Sequence, residues 1–191
     1  YEAPDKYLNL IAENLISYDI IHGDTYETAY RNLDNGKEYR GEGRTDFFNI
    51  EAGKRAEFPL KFVRCGNNIT GGSTMGDNGY DSLSLYQLDE NMEASLVRSY
   101  TAGEGEYFEA WMYDTGKWIY VLRSADKAEN GTLKYTFFSG SLEKTVTVEN
   151  VVNIGYTGTT EIFISVHDKE KTGKYKLDVE SMELTEVKTG E

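Results

Sequence analysis

The pattern that most constrains this chain is a series of short segments in which apolar and polar residues alternate. From Lys37 onward these segments follow one another with turns rich in glycine, asparagine and aspartate between them. A period of two residues is typical of half-buried β-strands. About ten such segments, with no helical pattern between them, favour a mainly all-β antiparallel sandwich or jelly-roll-like fold and exclude a doubly wound α/β fold.

The segments predicted as strands are best described together. In residues 55–63 the apolar side chains Ala56, Phe58, Leu60 and Phe62 point one way, although Pro59 indicates an edge or bulged strand. The other predicted strands are residues 45–50, 82–88, 94–100, 107–113, 117–123, 132–138, 145–151, 161–167 and 174–179. The polar tail from Glu183 to Glu191 is either a last strand or loose.

The first 35 residues follow a different pattern and predict one or two short helices. Pro4 and Asp5 suit a helix start. Leu8, Ile11, Leu15 and Ile16 then recur at helical spacing as an apolar stripe, which we interpret as an assembly surface or as a face packed on the chain's own sandwich. Asp24 and Glu27 suit the capping box of a second helix ending near Leu33. The predicted organisation is therefore a helical or linker segment at 1–35, a β-sandwich at 36–140, and further strands at 141–191 that complete or extend it.

Charge and composition limit the partners and the location. The formal net charge of −13 and the absence of a basic stripe exclude nucleic-acid binding. No run approaches the roughly 20 apolar residues of a membrane span. Cys65 is the single cysteine, so an intrachain disulfide is excluded. Low cysteine, 19 glycines, 15 tyrosines and strong acidity are typical of a secreted or cell-surface protein.

The residues that could support catalysis are few. His22 and His167 occur in unrelated contexts, and Cys65 has no neighbouring base. Ser73 lies in a glycine-rich loop that lacks the strand–turn–helix setting of a nucleophile elbow. We therefore expect a protein that is not an enzyme.

Aromatic residues offer one candidate binding site. Tyr107, Trp111 and Tyr113 share one face of a predicted strand with Glu109, and Phe108, Ala110 and Met112 occupy the other. Tyrosine and tryptophan are favoured at binding surfaces because a large rigid ring ends in a polar atom. The aromatic face is either exposed to a sugar or protein polymer or, if both faces are covered, part of the core.

Aspartates in a glycine-rich segment predict a calcium site as the one candidate cofactor. Asp77, Asn78 and Asp81 surround a turn that glycine allows, and Asp89 follows one strand length later. Calcium prefers carboxylate and carbonyl oxygens, which such loops supply. The alternative is that these side chains only stabilise turns by bonding their own backbone.

The order of several of these segments resembles the bacterial pre-peptidase C-terminal domain, over roughly 60% of the chain. Residues 28–36 resemble its short entry helix and the turn that ends it, and residues 45–53 its aspartate, aromatic pair and glycine turn. Residues 80–86, 115–121 and 131–136 resemble three of its strands. The N-terminal segment and about fifty residues after Phe138 lie outside this pattern.

The resemblance implies a β-sandwich appended to secreted enzymes, and some members of the family bind calcium near the N-terminal linker. We therefore expect a non-catalytic extracellular module that binds a polysaccharide or protein polymer or supports a secreted partner enzyme. The alternative is a structural subunit that assembles with copies of itself.

Overall fold

The fold is all-β in the residues that the structure describes. The structure is a computed structural model, and it describes residues 8–22, 25–41, 45–51, 53–69, 79–114, 117–124, 128, 131–156, 160–167 and 172–187. Within these ranges the chain forms fifteen strands and no helix. The strands form three sheets, and the pairs whose register is defined are antiparallel. The predicted all-β class is confirmed.

Each of the three sheets is formed by one continuous series of strands along the chain. The first has the order β1-β2-β3-β4, with strands Asn9–Ala12, Leu15–His22, Thr25–Asn32 and Glu38–Gly41. The second has the order β5-β6-β7-β8, with strands Thr45–Phe47, Leu60–Cys65, Ser82–Leu88 and Ala94–Thr101. The third contains seven strands in the order β15-β14-β13-β12-β11-β10-β9. In chain order, β9 to β15 are Glu106–Asp114, Lys117–Ser124, Leu133–Phe138, Thr145–Tyr156, Glu161–His167, Thr172–Asp178 and Glu183–Glu186.

The predicted N-terminal helices are wrong in the described residues, where β1, β2 and β3 stand instead. β2 and β3 pair without interruption from Leu15 opposite Asn32 to His22 opposite Thr25. β2 contains three isoleucines and one tyrosine, and β3 contains two threonines and two tyrosines. Such branched and aromatic side chains favour extended backbone. Pairing with a neighbouring strand therefore prevails over the helical spacing of the apolar residues. Pro4, Asp5 and Asp24 lie outside the described residues.

The chain divides into two compact units. One comprises residues 1–67 and 83–100, and the other comprises residues 68–82 and 101–191. The first unit has a core shared by its two four-stranded sheets. This core contains Leu15 and Tyr30 from the first sheet and Leu60, Phe62 and Leu88 from the second. Aromatic rings continue it, since Tyr30 lies edge-on to Phe47 at 5.0 Å and Phe62 stacks on Tyr86 at 5.3 Å. Two sheets that face each other across such a core form a sandwich-like unit.

The second unit buries one face of the seven-stranded sheet against itself. The rings of Trp111 in β9 and Tyr156 at the end of β12 have centroids 5.4 Å apart. Strands β10 and β11 lie between them in the sheet, and three strand spacings would separate them by about 14 Å if the sheet were flat. The sheet therefore curls, and its apolar face is the inside of the curl. Fully buried residues of this face include Ile119, Phe137 and Ile164.

Candidate functional site: an aromatic and charged cluster on β9 to β11

The candidate site lies on β9, β10 and β11, at one side of the curled apolar face. Antiparallel register places Tyr107 opposite Arg123, Glu109 opposite Val121 and Trp111 opposite Ile119. Residues directly opposite each other project from the same face. Arg123 is in turn opposite Tyr135 of β11. We call Tyr107, Glu109, Trp111, Arg123 and Tyr135 the aromatic–charge cluster.

Arg123 is the centre of this cluster. Its guanidinium carbon lies 5.2 Å from the ring centroid of Tyr107 and 6.0 Å from that of Tyr135. These distances are those of cation–π contacts. Its Nη1 is 3.5 Å from Glu109 Oε1, while its buried Nε–H has no hydrogen-bond partner among the described residues. The protein therefore leaves part of the hydrogen-bonding capacity of this guanidinium unused.

Glu109 links the charge to the aromatic rings. Its Oε2 accepts a hydrogen bond of 2.8 Å from the indole Nε1–H of Trp111. Burial raises the pKa of the Tyr107 hydroxyl, and the Glu109 carboxylate raises it further, against the opposing effect of Arg123. Burial likewise raises the pKa of Tyr135. The tyrosine hydroxyls therefore stay neutral hydrogen-bonding groups through the physiological pH range.

The cluster lies at the boundary between core and surface, with Tyr135 buried in the core and the other four side chains partly exposed. The side chains of Glu109 and Arg123 are 16% and 27% exposed. Tyr107, Trp111 and Tyr113 are half-buried. Trp111 and Tyr113 pack against the apolar core, with Trp111 edge-on to Phe137. Tyr156 links the end of β12 to β9, because its hydroxyl donates a hydrogen bond to the carbonyl oxygen of Met112. From Tyr107 to Tyr113 the strand spans about 20 Å, which is long enough to contact several units of a polymer.

The three residues predicted for ligand binding therefore lie together on one face of β9. The opposite face carries Phe108, which is buried, and Met112, which is exposed. Sequence reasoning did not single out Arg123 as a site residue. A regular hairpin that pairs Lys117 with Asp114 would set Arg123 opposite Phe108, on the other face. The register shift between Lys117 and Trp118 sets it opposite Tyr107 instead, and this shift has no signal in the local sequence.

Of the four residues predicted to bind calcium, the structure describes Asp81 and Asp89. Asp77 and Asn78 lie outside the described residues. Asp81 Oδ1 accepts a hydrogen bond of 2.7 Å from the Ser82 hydroxyl, and Asp89 Oδ1 accepts one of 2.9 Å from the backbone N–H of Glu93. Asp81 and Asp89 flank opposite ends of β7, about 25 Å apart along the strand, so they cannot share one ion. In the part of the chain that the structure describes, no group of three or more His, Cys, Asp and Glu side chains is placed to hold a metal ion.

The residues predicted as an assembly stripe do not share a face. Leu15 is fully buried in the core of the first unit, and Ile11 packs against that core. Leu8 is exposed, and Ile16 is half-buried beside Leu10 on the other face of the sheet. Strand geometry, with its period of two, separates side chains that a helix would align.

The residues considered for catalysis have the following surroundings where the structure describes them. His167 is exposed at the end of β13, and its Nδ1 lies 2.9 Å from the hydroxyl of Thr172. Cys65 is buried in the first unit. The backbone of His22 ends β2, and its side chain lies outside what the structure describes.

Comparisons with known proteins do not assign the chain to a family: no family model matches the sequence, and no curated protein matches it either. The resemblance to the pre-peptidase C-terminal domain thus stays a prediction. Among the described residues, no helix is long and apolar enough to cross a bilayer.

Proposed function

We propose that this chain is a non-catalytic module of a secreted or cell-surface protein that binds a polymer through the aromatic–charge cluster. A polysaccharide is the polymer that this chemistry suits best. The observation that carries the proposal is the row of half-buried aromatic side chains along β9, joined by hydrogen bond and charge to Glu109 and Arg123.

Sugar rings present two kinds of surface, and the cluster has a group for each. The apolar face of a pyranose packs against an aromatic ring, and its hydroxyl groups both donate and accept hydrogen bonds. Tyr107 and Trp111 provide rings, Glu109 provides an acceptor and Arg123 provides donors. A few polar groups placed among aromatic side chains are typical of small-ligand sites.

The charge of the chain selects among polymers. A net charge of −13 repels polyanions at long range. A neutral polysaccharide is therefore favoured over an acidic one. A protein polymer, or a secreted enzyme held by the same surface, would have to present an apolar or basic segment.

The proposal is tested by affinity electrophoresis through gels that contain neutral or acidic polysaccharides, with retention on immobilised protein polymers measured in parallel. We expect retardation by at least one neutral polysaccharide. Tyr107→Ala should weaken it about tenfold or more, as expected for loss of an aromatic anchor. The matched control is Phe163→Ala, which removes a 45% exposed ring from the opposite face of the same sheet and should leave retardation unchanged. Absence of retardation by every polymer, or equal effects of the two variants, would refute the proposal.

The non-catalytic part of the proposal has its own readout. Prolonged incubation with the retained polysaccharide should release no new reducing ends. Release of reducing ends by the wild-type chain, lost in a Glu109→Gln variant, would show an enzyme instead.

Self-assembly stays the second candidate function. The observation that favours it is the exposure of edge strand β8 on both faces, rather than the N-terminal segment.

A further inference from the structure

Strand β8 is exposed to an unusual degree for a strand of eight residues. Seven of its eight residues are exposed, and Tyr100 alone is half-buried. Leu96 is 57% exposed and Val97 is 52% exposed. Because neighbouring residues of a strand project from opposite faces, both faces of β8 carry an exposed apolar side chain.

The outer edge of β8 is also open in the described structure. β8 ends the order β5-β6-β7-β8, and no further strand is paired with it among the described residues. On its inner side it is attached to β7, where the hydroxyls of Ser84 and Ser99 lie 3.1 Å apart. An open edge presents a row of backbone N–H and C=O groups that can pair with another strand.

The sequence of β8 has few of the features that prevent an open sheet edge from pairing with a strand of another molecule. Proteins protect open edges with proline, lysine or inward-pointing charges. β8 contains no proline, lysine or acidic residue, and Arg98 is its only charged residue. The strand therefore carries a single positive charge in a chain of net charge −13.

We propose that β8 is an interface through which two copies of this chain pair as antiparallel strands about a two-fold axis. The axis passes through Val97. This register places Val97 opposite the partner's Val97, Leu96 opposite the partner's Arg98, and Ala94 opposite the partner's Tyr100. The two four-stranded sheets then form one continuous sheet of eight strands.

Side-chain pairing favours this register over one centred on Arg98. Centring the axis on Arg98 would place two guanidinium groups directly opposite each other, which is unfavourable. Centring it on Val97 pairs two β-branched residues and covers Leu96 with the aliphatic part of Arg98. Tyr100 then covers Ala94, which joins an aromatic ring to the exposed apolar surface.

A second copy is the occupant that this edge fits best. Two-fold pairing of identical strands closes both open edges at once and creates no new edge, and such isologous dimers are the commonest oligomers. No acidic side chain of β8 meets its own copy in this contact, so the excess negative charge of the chain stays outside the paired strands. The dimer would carry two aromatic–charge clusters, and two linked sites hold a polymer more strongly than either alone.

Opposite charges at position 96 test the register and the interface together. Leu96→Lys places lysine opposite the partner's Arg98 twice in the dimer and should give a monomer of 21.6 kDa by size-exclusion chromatography with light scattering. Leu96→Glu places a carboxylate at the same point and should keep twice that mass, as should the wild-type chain. Leu96→Lys combined with Arg98→Glu should restore the dimer. A wild-type chain that is monomeric at every concentration measured, or lysine and glutamate variants that behave alike, would overturn the proposal.

Cross-linking measures the position of the axis independently. Across an antiparallel pair, facing Cα atoms lie about 4.5–5.5 Å apart, within the range of a disulfide. Val97→Cys should therefore form a disulfide-linked dimer under mild oxidation, since the native Cys65 is buried. Thr101→Cys is the matched control within β8, because four residues from the axis its copy lies about 26 Å away. Equal cross-linking at both positions would contradict the register. The dimer proposal and the polymer-binding proposal can be refuted independently. The molecular mass tests the first, and retardation in polysaccharide gels tests the second.

Discussion

Asn14 and Ala56 hold each other by two hydrogen bonds. Asn14 Nδ2 donates to the Ala56 carbonyl oxygen at 3.2 Å, and the Ala56 N–H donates to Asn14 Oδ1 at 2.8 Å. The turn between β1 and β2 is thereby joined to the loop that leads into β6. Asn14 is buried, so these bonds form away from water. The contact connects the two sheets of the first unit beside their shared apolar core.

Asn14→Ala should lower the free energy of unfolding by about 1–3 kcal/mol, because it leaves the buried N–H and C=O of Ala56 unpaired. Asn49→Ala is the matched control. Asn49 makes the same kind of paired bonds, to Pro59 O and from the Lys61 N–H, but it is exposed, and water can replace it. Chemical denaturation of both variants measures the difference. Equal losses would show that burial of Asn14 does not matter.

Acid should destabilise the first unit in part through Asp34. A hydrogen bond from Asn14 at 3.0 Å holds the pKa of the Asp34 carboxyl below its ordinary value of 3.8, and Arg55 lowers it further. A depressed folded-state pKa contributes stability above the ordinary pKa, and that stability is lost as the pH falls through the folded-state pKa.

The pKa of Asp34, measured by NMR titration, should therefore rise in Asn14→Ala and in Arg55→Ala. The stability of Asp34→Asn should fall less between pH 5 and pH 2 than that of the wild type. An unchanged Asp34 pKa in both variants would contradict this account.

Alkali should destabilise the first unit through Tyr30. Burial raises the pKa of its hydroxyl to about 12. Because the folded-state pKa is raised, burial of the neutral Tyr30 hydroxyl contributes to the free energy of unfolding at every pH below 10. This contribution, about 2–3 kcal/mol, is lost as the pH rises towards 12. Tyr30→Phe should show a shallower alkaline loss, measured by denaturation at pH 9 and pH 11.5. Parallel curves for the two proteins would exclude Tyr30 as the cause.

Calcium binding stays a prediction that a melting experiment decides. A ligand that binds only the folded state stabilises it by mass action. Millimolar calcium should raise the melting temperature over that in EDTA, and Asp81→Asn should abolish the increase. Asp89→Asn should leave it intact, because Asp89 lies at the other end of β7. Identical melting curves with calcium and with EDTA would exclude the site.

Several strands of the second and third sheets follow closely from the sequence, because each alternates over a length that suits a strand. Residues 82–88 and 161–167 are predicted with the bounds that the structure has, and residues 94–100 and 117–123 differ by one residue at one end. In residues 55–63 the strand begins only at Leu60, after Pro59, and β6 lies between β5 and β7, so the predicted bounds and the predicted edge position are wrong. The predicted inward side chains do face the core, since Ala56, Leu60 and Phe62 are buried and Phe58 packs against them.

The N-terminal hairpins could not be predicted from local pattern. Helical spacing is satisfied by Leu8, Ile11, Leu15 and Ile16. The segment is extended instead because eight residue pairs form between the antiparallel strands β2 and β3. The aromatic–charge cluster was predicted in part, because Tyr107, Trp111 and Glu109 share one strand. Arg123 and Tyr135 join it through register and curl, which depend on partners distant in sequence.

The central claim is that a polymer contacts the β9 face at Trp111, and tryptophan fluorescence tests it most directly. Trp111 and Trp118 are the two tryptophans, so Trp118→Phe leaves Trp111 as the single reporter and Trp111→Phe leaves Trp118. Titration with the polysaccharide that retards the chain should give a saturable change in emission in Trp118→Phe. A response that is absent from Trp118→Phe, or that is carried by Trp118 in Trp111→Phe, would contradict the account.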